Sequence, residues 1–386
     1  MTENNHISPS VSIGGEGVVG TQEGSINPEF SKRITALRFV LVVFLHNKLS
    51  TAIHFADGDS IIEMPLWIQI IHDTFTSYWG GIAVPTFFII SGYLFFAKPR
   101  PMAVTIKSKL KSVVLPYVLW TFLAIFLFFL AQSFEVSKPY FTQPKNIIRN
   151  WGITDYLKAL WAWDTSMYLH SPFVGPFWYV RNLIIMMLIS PLIKYLAGKF
   201  PAAFLIFVTT LNAFELLNII EIQYGFITAL YYFTLGYYAV KYIGKVMAFL
   251  DSISWHDFLA AYLISFVLTI YAKMNFLAGY WFVYWFNLLF TIGLAIKVAG
   301  WACKRERLFD KLSYLSGFSF WIFASHLPFV LLVMQKLSVK IIPMHGIGIL
   351  VQFFGVTILC IGILLLAGIA LKRLAPKVFA VLTGGR

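Results

Sequence analysis

Two histidines occur inside stretches of the chain that are otherwise apolar. His46 lies in ALRFVLVVFLHNKLS, and His326 lies in GFSFWIFASHLPFVLL, two residues before Pro328. A neutral imidazole can accept a proton from a hydroxyl near neutral pH, as general bases do. Polar groups inside a membrane are costly, so each histidine is either satisfied by a neighbouring helix or takes part in chemistry. The sequence therefore offers His46 and His326 as catalytic candidates, although it cannot show that they lie close together.

Two arginines could stabilise negative charge that develops during a reaction. Arg38 lies in the first apolar stretch, and Arg181 lies with Asn182 in PFWYVRNLIIMMLISPLI, just after Trp178. A guanidinium in this setting either holds a polar substrate or an oxyanion, or extends towards the membrane interface. Glu215 belongs to a polar stripe on a later apolar segment. We predict catalytic roles for Arg38 and Arg181, and substrate binding by Trp178, Asn182 and Glu215.

A basic segment follows the second apolar stretch. It reads KPRPMAVTIKSKLKSVVLPYVLW and contains Lys107, Lys109 and Lys111. These lysines could bind the phosphates of a cytosolic nucleotide-bearing thioester. Alternatively, they act as a topology signal and contact anionic lipids. We predict Lys107, Lys109 and Lys111 as the cofactor-binding residues.

The composition defines the elements that must position these side chains. Of the 386 residues, 59% are hydrophobic and 12% are charged, and the mean hydropathy is +0.76, which excludes a water-soluble globule. The net charge is +13. Such an excess fits nucleic-acid binding, contact with an anionic membrane surface, or signals that set membrane topology.

Apolar runs separated by polar residues predict an all-α membrane protein with about ten transmembrane helices. The predicted segments begin near Ile34, Trp79, Ser112, Trp178, Ala202, Phe226, Trp255, Tyr280, Gly317 and Gly346. When successive connections are assigned alternately to two sides, one side has roughly twice as many Lys and Arg residues as the other. This asymmetry predicts that both termini are cytoplasmic, and it makes nucleic-acid binding an unnecessary explanation of the basic charge.

The predicted organisation is a single membrane domain with short tails. Residues 1–31 are predicted to be a disordered cytoplasmic tail, residues 32–375 the transmembrane domain, and residues 376–386 a second cytoplasmic tail. The longest connection, about residues 133–177, is predicted to lie outside. Its Trp and Tyr residues are typical either of a sugar-binding platform or of an interfacial aromatic belt.

Several blocks of the chain resemble acyltransferase family 3, polytopic enzymes that acylate sugars and other cell-envelope molecules. The blocks are ITALRFVLVVFLH, AVPTFFIISGYLFF, LKSVVLPYVLW, PFWYVRNLIIMMLISPLI and FSFWIFASHLPFV, and they occur in the order of the family. The resemblance implies transfer of an acyl group, often acetyl, from cytoplasmic acyl-coenzyme A. The family signature has an arginine and a histidine separated by ten residues. His46 matches that histidine, whereas Arg38 precedes it with only seven intervening residues.

These observations together predict an O-acyltransferase of the plasma (inner) membrane. Its partners would be acyl-CoA (acetyl-CoA) as donor, a carbohydrate or lipid-linked glycan as acceptor, and membrane lipids, with no permanently bound cofactor, no metal and no nucleic acid. His46 would act as a general base, a proton relay or a covalent acyl carrier. The alternatives are a transporter or flippase without bond chemistry, and an inactive family member used as a sensor or scaffold. The oligomeric state is left open.

Overall fold

The protein is helical throughout the residues that can be described. The computed structural model describes residues 26–37, 46–47, 64–98, 100–141, 147–163, 171–217, 219–220 and 225–385. No β-strand occurs within these ranges, which confirms the predicted all-α class. Most of the predicted tail 1–31 lies outside them, and a helix begins inside that tail at Pro28. Arg38 also lies outside the described residues.

We number the α-helices in chain order. They are α1 Pro28–Leu37, α2 Leu66–Asp73, α3 Ala83–Phe96, α4 Met102–Ser133, α5 Lys138–Phe141, α6 Ile153–Trp161, α7 Trp178–Lys199, α8 Pro201–Leu216, α9 Phe226–Ser252, α10 Trp255–Met274, α11 Tyr280–Cys303, α12 Glu306–Ser316, α13 Ser319–Ser325, α14 Leu331–Ser338, α15 Ile347–Leu374 and α16 Pro376–Thr383. A wide helical turn, Thr74–Trp79, and a short 3-10 turn, Gly80–Ile82, join α2 to α3. A second wide turn, His326–Val330, joins α13 to α14.

Seven stretches in the described part of the chain are long and apolar enough to cross a membrane. They are Leu66–Phe96, Met102–Ser133, Gly175–Lys199, Trp255–Met274, Tyr280–Cys303, Ser319–Ser338 and Ile347–Leu374. Each of these stretches overlaps one of the segments predicted from the sequence. The protein is therefore a multi-pass membrane protein.

The other three predicted segments do not reach the same standard. The first is described only at α1 and at His46 and Asn47. Helix α8 is apolar but has 16 residues, short of a full span, whereas α9 has 27 residues and many tyrosines that lower its hydropathy. Ten spans and a cytoplasmic location of both termini therefore stay predictions.

The backbones of helices α3 and α9 approach each other closely. Gly92 on α3 faces Gly236 on α9, and a Cβ atom added at Gly92 would overlap the carbonyl oxygen of Phe233. Small residues allow membrane helices to approach closely and gain van der Waals contact, because lipid provides no hydrophobic drive for association. This contact joins the second span to α9, so α9 is an integral part of the bundle despite its lower hydropathy.

The two ends of the bundle differ in what covers them. Residues 147–163 and 171–177 cover one end, which we call the loop end. At the opposite end α16 packs on α4: the indole nitrogen of Trp120 donates to the Leu382 carbonyl at 2.9 Å, and Phe379 is 1% exposed. The carboxyl-terminal segment predicted as a tail thus contains a helix docked on the third predicted span.

Candidate active site

The span that contains His326 is interrupted at that residue. Leu327 has φ −119° and ψ 149°, outside the helical region, because the ring of Pro328 clashes with a helical conformation of the residue before it. Pro328 has no N–H, so the Ala324 carbonyl lacks the donor that a continuous helix would supply four residues later. Broken helices in membrane proteins require other groups to satisfy the freed backbone atoms.

The His326 side chain contacts two backbone carbonyls of the turn before the break. It is fully buried, and its Nδ1 lies 2.8 Å from the Phe323 oxygen and 3.1 Å from the Ile322 oxygen. Carbonyl oxygens only accept hydrogen bonds, so Nδ1 carries the proton and Nε2 keeps its lone pair. Within the part of the chain that the structure describes, Nε2 has no hydrogen-bond partner. The helix break therefore fixes one tautomer of His326 and leaves a buried basic nitrogen.

The structure brings together the two histidines that were singled out in the sequence. The ring centroids of His46 and His326 are 5.1 Å apart, with 38° between the ring planes. The two rings are in contact without a hydrogen bond between them, because Nδ1 of His326 lies on backbone carbonyls and its Nε2 has no partner among the described residues. We call these two residues the histidine pair. It joins two different predicted spans.

Asn47 fixes the backbone next to His46. Its side chain is fully buried, and Nδ2 donates to the Phe353 carbonyl and to the Thr357 hydroxyl, both at 2.8 Å. Its Oδ1 accepts a hydrogen bond of 2.7 Å from Nε2 of Gln335. The end of the first span is thereby attached to both α14 and α15. Sequence reasoning did not propose Asn47 as a site residue, although an Asn directly after a histidine in an apolar stretch was visible.

Arg181 lies at the loop end, where it holds α6 on the bundle. Its side chain is 1% exposed, so it does not extend to the surface. Its Nη1 donates to the Trp161 carbonyl at 2.6 Å, and the hydroxyl of Tyr117 donates to the carbonyl of Leu160. These carbonyls belong to the last turn of α6, which lacks intrahelical donors and carries partial negative charge. Arg181 and Tyr117 therefore cap α6 from the adjacent spans.

A layer of aromatic rings joins the cap of α6 to the histidine pair. The Phe177 ring lies 5.4 Å from Tyr117 on one side and stacks on Phe323 at 5.9 Å on the other. Phe323 in turn lies 6.3 Å from the His326 ring. This layer excludes water from the buried nitrogen of His326. It also lies between the loop end, with Arg181, and the pair.

The predicted substrate-binding residues occupy different environments. Asn182 is fully buried, and its Oδ1 accepts a hydrogen bond of 3.3 Å from Nε of Arg181. Trp178 packs on Gly225, which has a positive φ of 67° and leaves no room for a side chain under the indole ring. Glu215 is half-buried and accepts a hydrogen bond of 2.6 Å from Thr228 on α9. Asn182 thus adjoins Arg181, whereas the hydrogen bond of Glu215 joins α8 to α9.

The three predicted cofactor lysines all lie in the first three turns of α4. Lys107 and Lys111 are exposed, whereas Lys109 is half-buried. Residues four positions apart share one face of a helix, and a residue two positions along points about 200° away. The helix therefore divides the set into Lys107 and Lys111 on one face and Lys109 on another.

An ion pair that the sequence analysis did not identify lies at the end of the bundle opposite the loop end. Arg33 is 3% exposed and donates to both carboxylate oxygens of Asp251, at 3.1 and 2.6 Å, and to Glu29 at 3.1 Å. The guanidinium also packs against Gly300. The hydrogen bond from Arg33 holds the pKa of the Asp251 carboxyl below its ordinary value. This pair fastens α1, at the start of the first span, to the end of α9.

Comparisons with known proteins identify the family to which the chain belongs. The model of the acyltransferase domain of acyltransferase family 3 matches residues 36–370. The chain is also 27% identical over 319 residues to the succinoglycan biosynthesis protein ExoH of Rhizobium meliloti (strain 1021), covering 79% of each chain. No solved structure matches the protein. Since the family model spans most of the chain and includes both histidines, the protein belongs to acyltransferase family 3 and is an O-acyltransferase.

Proposed function

We propose that this protein transfers an acyl group, acetyl in the simplest case, from acyl-CoA to a hydroxyl of a carbohydrate of the cell envelope. The observation that carries the proposal is the histidine pair, which places a basic nitrogen in a buried, water-poor site inside a bundle of apolar helices. The similarity to a protein of succinoglycan biosynthesis supports a polysaccharide or its precursor as acceptor. The inner membrane is the proposed location.

His46 acts as the general base in this reaction. It takes the proton of the acceptor hydroxyl while the hydroxyl oxygen attacks the thioester carbonyl. The tetrahedral intermediate then collapses, the carbon–sulfur bond breaks, and the proton passes from His46 to the departing thiolate of coenzyme A. The products are an ester of the carbohydrate and free coenzyme A.

His326 supports the base because its tautomer is fixed by the helix break. The unprotonated Nε2 has no partner in the part of the chain that the structure describes, and in the reaction it accepts a hydrogen bond from the N–H of His46, whose ring centroid lies 5.1 Å away. That bond would aim the other nitrogen of His46 at the acceptor hydroxyl. A buried acceptor also stabilises the imidazolium that forms on His46 during proton transfer. His326 is thus a positioning residue.

The coenzyme A phosphates bind at the start of α4. Lys107 and Lys111 present two ammonium groups on one exposed face, where a pyrophosphate or the 3′-phosphate of coenzyme A can bind without loss of a protein contact. Lys109 lies on another face and contributes to topology or to packing. This assignment narrows the three lysines expected from the sequence to two.

Arg181 positions the substrate-facing loop end and does not itself contact the reacting carbonyl. Its guanidinium is engaged with the Trp161 carbonyl and with Asn182. Arg38 remains the proposed group for stabilising the developing oxyanion, by its place eight residues before His46 in the first predicted span. The aromatic layer between Arg181 and the pair keeps the proton transfer dry.

The test is a reconstituted assay with labelled acetyl-CoA and extracted envelope glycans. We expect His46→Ala to abolish label transfer, whereas His256→Ala retains it, because His256 is exposed at the start of α10. His256 controls for loss of an imidazole elsewhere in the chain. Equal transfer by wild type and His46→Ala would sink the assignment of the base, and absence of transfer to any glycan by the wild type would sink the proposed reaction.

A further inference from the structure

A groove of about 600 Å³ opens at the loop end, between the second half of α4 and the connection that follows it. The side chains that form its walls are mainly aromatic and include one cation: Phe122, Phe126, Phe129, Arg149, Trp151 and Tyr156. We call it the aromatic groove. It is separate from the histidine pair and from the face of α4 that carries Lys107 and Lys111.

One wall of the aromatic groove belongs to a membrane-crossing helix. Phe122, Phe126 and Phe129 recur on α4 at positions i, i+4 and i+7, so they lie along one helix face. Phe122 is 44% exposed and Phe126 is 54% exposed. Because α4 is apolar enough to span a bilayer, these exposed rings face hydrocarbon. The groove is therefore continuous with the lipid phase on this side.

A cation lies at the polar end of the aromatic groove. The Arg149 guanidinium carbon lies 5.8 Å from the centre of the Phe129 ring, and Nη2 donates to the Ser133 hydroxyl at 3.3 Å. Arg149 is exposed and forms no ion pair with any carboxylate in the described ranges. Most of its five N–H groups are thus available to a ligand. A planar guanidinium matches phosphate oxygens in charge and in geometry.

Trp151 lines the groove from the connection. The indole Nε1 of Trp151 is buried, yet it has no acceptor among the residues that can be described. The ring itself is fixed by Trp163 at 4.3 Å and by Tyr156 at 5.4 Å. A buried tryptophan N–H usually has a hydrogen-bond partner. A bound ligand with a hydroxyl or ring oxygen next to its phosphate would supply one.

The aromatic groove is close to the turn that carries His326. Phe128, whose neighbours in the core include Ile125 and Ile148 of the groove, meets Phe329 with 4.9 Å between ring centroids. Phe329 follows His326 by three residues in the same wide turn. A head group anchored in the groove is therefore separated from the histidine-bearing turn by a single layer of rings.

We propose that the aromatic groove binds the lipid carrier of a lipid-linked glycan acceptor. The hydrocarbon chain lies on Phe122 and Phe126, the phosphate binds Arg149, and the first sugar packs on Trp151 and accepts its indole N–H. An ordinary anionic phospholipid would satisfy Arg149 but has no sugar ring for the indole. The inference rests on the proposed function, because it specifies the form in which the carbohydrate acceptor is presented.

The test is binding of a tritiated polyprenyl-pyrophosphate disaccharide to the full chain in phosphatidylcholine nanodiscs. We expect Arg149→Gln to weaken binding about tenfold or more, as for loss of a charged hydrogen bond, and Arg149→Lys to retain most of it. Lys158→Gln is the matched control, since Lys158 is an exposed cation of the same connection outside the groove. Unchanged binding by Arg149→Gln overturns the proposal.

Two further measurements identify what the groove recognises. Trp151→Phe removes the indole donor and keeps an aromatic ring, and we expect it to weaken binding of the glycosylated lipid several-fold while polyprenyl pyrophosphate without a glycan binds as before. Phosphatidylglycerol added at the same membrane fraction should not displace the labelled lipid. Displacement as effective as that by the unlabelled glycolipid shows a general anionic-lipid site and overturns the proposal.

Failure of the groove and failure of the proposed reaction are separable, because binding does not require acyl transfer. Label transfer from acetyl-CoA to a free oligosaccharide, without binding of the lipid-linked form, overturns the groove alone. Specific binding of the lipid-linked glycan, without transfer to any acceptor, supports the groove and overturns the reaction.

Discussion

Replacing Asn47 by Leu tests whether the site depends on the hydrogen bonds that hold the residue next to His46. Leucine branches at the same carbon as asparagine, is larger, and its side chain cannot hydrogen-bond. Asn47 is fully buried and takes part in three hydrogen bonds, to Phe353, Thr357 and Gln335, all between 2.7 and 2.8 Å. The substitution therefore removes the polar link between the first span and helices α14 and α15 without leaving a large cavity.

The magnitude follows from what each partner retains. The Phe353 carbonyl still accepts from the Thr357 hydroxyl at 2.8 Å, so it keeps a partner. The buried Nε2 of Gln335 loses the Asn47 oxygen, which costs about 1–3 kcal/mol for a desolvated donor. With about 1 kcal/mol for the remaining bonds, we expect the free energy of unfolding to fall by about 2–4 kcal/mol. A displacement of His46 by about 1 Å would lower kcat by up to about 100-fold.

The assay measures kcat per folded protein, KM for acetyl-CoA and thermal stability on the same preparations in detergent. We expect Asn47→Leu to lower kcat by about 10- to 100-fold with KM for acetyl-CoA unchanged, because the lysine face of α4 is not disturbed. Thr357→Val removes one of the three hydrogen bonds and should give a smaller loss. The two losses should be non-additive in the double variant, since both residues belong to one network.

Asn287→Leu provides the matched control. Asn287 is also a buried asparagine, 1% exposed, and its Nδ2 donates to the Ser265 hydroxyl at 3.1 Å between α10 and α11. We expect a loss of stability of about 1 kcal/mol and no change in kcat per folded protein. The reasoning is refuted if Asn47→Leu is destabilised but keeps wild-type kcat, or if Asn287→Leu loses kcat to the same extent.

Three further outcomes follow from the structure. His326→Gln retains an amide donor for the Ile322 and Phe323 carbonyls but has no imidazole nitrogen. We therefore expect the protein to fold and kcat to fall by about 100-fold or more, measured by single-turnover acyl transfer. The double variant Lys107→Gln, Lys111→Gln should raise KM for acetyl-CoA about tenfold, whereas Lys109→Gln should leave this KM unaltered. An equal rise in KM for Lys109→Gln would contradict the assignment of these lysines to two helix faces. Because Arg33 lowers the pKa of Asp251 in the folded state, the pair stabilises the protein above the ordinary carboxyl pKa, and this contribution is lost as the pH falls below about 4. The difference in Tm between wild type and Asp251→Asn should therefore be several degrees at pH 6 and should shrink on acidification; a difference independent of pH would exclude the ion pair as its cause.

The elements of this protein could be read from the sequence because they depend on local interactions. In a bilayer each backbone polar group must be satisfied within its own helix, so length and apolarity of a segment suffice to identify a span. This reasoning gave the all-α class and seven spans that the structure contains. It also gave His46 and His326 as unusual residues within apolar segments. The division of Lys107 and Lys111 from Lys109 was also available, since it follows from helical periodicity alone.

The contacts between elements depended on tertiary structure, because they join residues far apart in the chain. Asn47 and Thr357 are separated by 310 positions, and no pattern in either segment indicates that their side chains meet. The sequence suggested a catalytic role for Arg181, and its burial under α6 gives it a main-chain carbonyl as partner. The sequence thus determined which residues are costly to bury in a membrane. Only the folded bundle decided which of them face one another, because packing brings His46 of the first predicted span against the helix break at His326 in the ninth predicted span.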